Sequence, residues 1–96
     1  MDSLYDLIQT IAKRPEIYLG QPSVQRLYAF IGGYLYGNPT ADDHCLDGFN
    51  EFVARRFDIR SDHNWADIIE FFSYGEKDEF PLFMKLFGEY TSHRRN

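Results

Sequence analysis

Arg14-Pro15-Glu16-Ile17-Tyr18-Leu19-Gly20 lies between two stretches of helical periodicity, and its reading decides the architecture. Pro15 has no amide hydrogen and biases Arg14 away from helical geometry, so a helix arriving from the N-terminus stops at about Lys13. Gly20 can take the positive φ of a sharp turn. Ile17, Tyr18 and Leu19 are expected to tuck beneath that turn, which makes the segment a shaped connector between two helices.

Working outward, Ser3 is a natural N-cap, and Leu4, Leu7, Ile8 and Ile11 follow at the spacing of one helical face. On the other side, Ser23 caps a second helix carrying Val24, Leu27, Tyr28, Ile31 and Leu35, ended by Gly37-Asn38-Pro39. Gly32-Gly33 sits inside it. Two glycines cost about 1 kcal/mol each relative to alanine, so they are expected to mark close packing or a kink. Residues 40 to 45 show no apolar period and read as loop or a first helical turn. A third helix carries Leu46, Phe49, Phe52, Val53 and Phe57, and a polar break from Asp58 to Asn64 precedes a fourth with the stripe Trp65, Ile68, Ile69 and Phe72. Beyond Gly75, Asp78 is expected to cap a last helix with Pro81 in its first turn and Phe80, Phe83, Met84 and Phe87 facing inward. No segment alternates as a half-buried strand does. The expected fold is all-α, one domain over residues 1–91 of about five short amphipathic helices, with a flexible tail at 92–96.

The 96 residues allow a single core, and 18% aromatic content lets a few large rings fill it. The lone Cys45 excludes an internal disulfide and suits a reducing cytoplasm. No basic-then-apolar leader or membrane-length apolar run is present, so a cytoplasmic protein without membrane association is expected. The formal net charge is −5, which disfavours direct nucleic-acid binding. Arg55, Arg56 and Arg60 are the one basic grouping, and they fall where a helix C-terminus favours cations.

Chemistry-bearing patterns are sparse. His44, Cys45 and His63 lack zinc-ligand spacing, and the run Asp58 to Asn64 lacks the glycine and final glutamate of a calcium loop and carries Arg60 where an oxygen ligand belongs. No phosphate-loop spacing surrounds the glycines. A bundle this small also has few residues left to line a shielded cleft, so neither enzymatic activity, metal nor cofactor is expected. The acids cluster instead. Asp42, Asp43, Asp47 and Glu51, the last two read as one helical turn apart, form one group; Glu76, Asp78 and Glu79 form another. Such groups complement helix N-termini or dock a cationic protein.

Lys13 to Gly20 also resembles the Arg-Pro-x-x-Tyr-Ile-Gly segment of the ATPase domain of type II topoisomerases, but the adenine- and magnesium-binding segments of that family have no counterpart here. Over most of its length the chain resembles small bacterial immunity proteins of polymorphic and contact-dependent growth-inhibition toxin systems. The likeness is carried by Arg14-Pro15 with Tyr18-Leu19-Gly20, Leu27, Phe30, Gly33-Tyr34, Phe49 to Phe57, and Asn64-Trp65-Ala66-Asp67-Ile68-Ile69-Glu70-Phe71-Phe72. It implies a non-enzymatic cytoplasmic protein that binds one cognate toxin domain, often a nuclease; apart from the resemblance, the chain is expected to be a monomer, or a homodimer in which Gly32-Gly33 packs against its symmetry mate. The expected contact residues are Asp42, Asp43, Asp47, Glu51, Glu76, Asp78 and Glu79, with Tyr34, Tyr36, Tyr74 and Tyr90 as candidate anchors. A small adaptor domain that binds a different basic protein is the alternative.

Overall fold

Serine and asparagine caps set the helix starts in the computed structural model, which describes residues 3–60 and 62–94, without the side chains of Glu76 and Arg94. Ser3 Oγ accepts the Asp6 amide at 3.2 Å and opens α1 (Leu4–Lys13), whose Leu4, Ile8 and Ile11 are fully buried. Ser23 Oγ accepts the Arg26 amide at 3.3 Å to open α3 (Val24–Gly37), and Asn64 Oδ1 accepts the Asp67 amide at 2.9 Å to open α5 (Trp65–Phe72). Each such cap is worth about 1 kcal/mol.

Between α1 and α3 the connector is itself helical: α2 (Pro15–Leu19) begins on proline at its first position, where the missing amide hydrogen is harmless. Only Leu19 tucks inward. Ile17 is 67% exposed and Tyr18 is also exposed, because a five-residue helix turns one side to the core and the other to solvent. Gly20 at φ +82° ends α2, and the Arg26 guanidinium donates to the Leu19 carbonyl at 2.8 Å, beside the space where a Cβ on Gly20 would stand.

A 3-10 turn (His44–Leu46) precedes α4 (Phe49–Arg56), and α6 (Glu76–Arg94) closes the chain. Among the described residues there are six α-helices and no strands, so the all-α single domain is as expected, with α2 as the added helix. α6 starts earlier than the sequence suggested. A tight Asp78 N–H to Gly75 carbonyl bond of 2.9 Å forms its first turn, so Asp78 lies inside the helix rather than capping it, and Pro81 falls beyond the first turn. The helix continues through Ser92 and His93 to Arg94; Arg95 and Asn96 lie outside the described residues.

α5 packs against α3, α4 and α6, and α6 also crosses α3 and α4. Their shared core is aromatic. Phe49, Phe83 and Phe87 are fully buried, Trp65 nearly so, and Leu86, not singled out from the sequence, joins them while Met84 is only half-buried. Gly48 begins α4 at φ +79°, and the Tyr90 hydroxyl occupies the space where a Cβ there would sit, which brings α4 close to α6. Gly32 and Gly33 correct the sequence reading in the other direction: α3 runs unbroken through them, and among the described residues no atom from outside the surrounding helix backbone lies within 4 Å of where their Cβ atoms would be.

Candidate functional site

The expected acidic site lies on the loop between α3 and α4, which is fastened to the start of α1. The Leu4 amide donates to the Asp42 carbonyl at 2.8 Å, and Ser3 and Asp42 pair as an isolated parallel bridge. Held there, Asp42 turns its carboxylate to the His44 amide, 3.1 Å away, and so shapes the 3-10 turn. His44 Nδ1 lies 2.9 Å from Asp47 Oδ2, with both side chains well exposed. Asp42, Asp43 and Asp47 thus surround one histidine on one exposed turn.

The electrostatic consequence is visible at that ring. The hydrogen bond to Asp47 raises the His44 pKa above its ordinary 6.5, and the negative charges of Asp47, Asp42 and Asp43 add to the effect. A raised folded-state pKa means that the protonated ring steadies the turn fully below pH 6.5, and that this contribution fades as pH rises through the folded value. In an NMR titration, His44 is expected to titrate above 6.5, and Asp47→Asn should return it toward that value. An Asp47→Asn chain that titrates like the parent would show that the bond is not made in solution.

Beside the turn runs an open groove of about 430 Å³ lined by Asp6, Asp42, His44 and Cys45 with Tyr5 and Thr91. Among the described residues, no lysine or arginine lines it. Asp6 has no sequence signal that links it to this site, because it belongs to α1; only the docking of the distant loop on Ser3 and Leu4 brings it there. Asp43, His44 and Asp47 can also each offer a ligand atom within 4.8 Å of one another, although all three are exposed and the histidine is already bonded to Asp47.

The remaining predicted residues part company with this turn. Asp47 and Glu51 are not one helical turn apart, because α4 starts only at Phe49, after the left-handed Gly48. Glu51 instead lines a second groove with Arg55, Asp58 and Arg60. Asp78 is half-buried near the start of α6, and the side chain of Glu76 lies outside what is described.

Glu79 is a clear correction. It is only 6% exposed, and its Oε1 accepts the amide of Val24 at 3.0 Å, at the first residue of α3. A carboxylate against a helix N-terminus satisfies an otherwise orphaned donor and complements the helix dipole. Its place is therefore between α6 and α3, not on a docking surface.

Among the candidate anchors, Tyr36 (92% exposed) and Tyr74 (95%) stand free of the core, whereas Tyr34 is half-buried and Tyr90 packs its ring on Phe49 and Phe52. Arg55 and Arg56 occupy the last turn of α4, where the dipole favours them, and Arg56 is ion-paired to Glu89 across to α6. No described helix is long and apolar enough to cross a membrane. No family model matches the chain, and no curated protein or solved structure matches it either.

Proposed function

We propose that the protein is a binding inhibitor of the immunity type, which uses the acidic turn at Asp42, Asp43 and Asp47 and the adjoining groove to cover the basic surface of a toxin domain. One observation supports this above the others: the groove lining holds the carboxylates of Asp6 and Asp42 and, among the described residues, no lysine or arginine, with two further carboxylates on the turn beside it. A nuclease domain presents cationic side chains to phosphate. An acidic protein surface attracts the same side chains, speeds encounter and blocks access to the substrate. Asp6 joins the contact set, and Glu79 leaves it because its carboxylate is committed to α3.

The test is co-expression with a toxin domain encoded by a reading frame beside this chain's gene; the absence of any such frame would remove the immunity reading. The parent chain should restore growth and purify with that domain. Asp43→Lys combined with Asp47→Lys should weaken the complex by about a hundred-fold while leaving helical content unchanged. Unchanged affinity in the double variant would remove this face from the proposal. A toxic domain that is not relieved at any level of the chain would remove the immunity reading.

A further inference from the structure

We draw no further inference here: the strongest candidate, the exposed turn on which Asp43, His44 and Asp47 could each offer a ligand atom to a metal ion, belongs to the acidic site already described, and no second feature among the described residues points to an ion there.

Discussion

Phe49→Ala is expected to cost about 4 kcal/mol of folding stability, the largest loss available to a single side chain here. Phe49 has no exposed surface, and its ring meets those of Phe52, Trp65, Phe83, Phe87 and Tyr90 at centroid separations from 5.5 to 6.2 Å. Those rings belong to α4, α5 and α6, so truncation removes contacts from three helices at once and leaves a cavity that rigid aromatic neighbours fill poorly. A domain of this size has a total stability of about 5–15 kcal/mol, so the loss takes a large share of it. Urea unfolding followed by circular dichroism and Trp65 fluorescence reads the effect. Phe49→Leu should cost less, about 1–2 kcal/mol, because most of the volume remains. Tyr36→Ala, at a 92% exposed site, should stay within about 0.5 kcal/mol of the parent. A Phe49→Ala loss under about 1 kcal/mol would show that this ring is not where the helices join.

Glu79→Ala is expected to cost about 2–3 kcal/mol, because it strips a buried amide of a charged acceptor. The bond from Val24 N–H to Glu79 Oε1 spans 55 residues of sequence and ties the start of α3 to α6. Glu79→Gln retains an acceptor oxygen and loses the charge that favours a helix N-terminus, so it should cost about 1 kcal/mol. This ordering separates the two readings of Glu79. A docking residue on the surface would weaken partner binding and leave the urea midpoint in place; a helix-terminus acceptor moves the midpoint, with alanine worse than glutamine.

The contrast between Ser23 and Glu79 explains how far the sequence could be read. Ser23 and Arg26 lie within one turn, so the side-chain cap is a local signal, and the same holds for Ser3 and Asn64. The i, i+3, i+4, i+7 stripe from Trp65 to Phe72 likewise declares its buried face without outside help. Glu79 satisfies the same helix start through a contact that no local pattern encodes. Asp6 joins the candidate site through a similar long-range event, the docking of Asp42 on Ser3 and Leu4. Asp47 and Glu51 failed for a local reason: Gly48 in the left-handed region resets the chain before α4, so helical spacing does not run through it. At Gly32 and Gly33 the propensity cost is legible, but the close packing or kink expected from it is not found among the described residues, because composition alone does not distinguish a buried helix face from an open one. The 80% exposure of Phe71 was legible in principle. It falls off the stripe that contains Phe72, and an apolar residue off the stripe points away from the core.

The central claim is that the acidic turn neutralises a partner by covering it. The most direct measurement is a titration of the purified toxin domain that this reading requires, in that domain's own activity assay. Activity should fall to zero as the chain approaches one copy per toxin domain, while the Asp43→Lys, Asp47→Lys chain should require a large excess. Activity that persists at excess parent chain, or identical titrations for parent and variant, would contradict the claim.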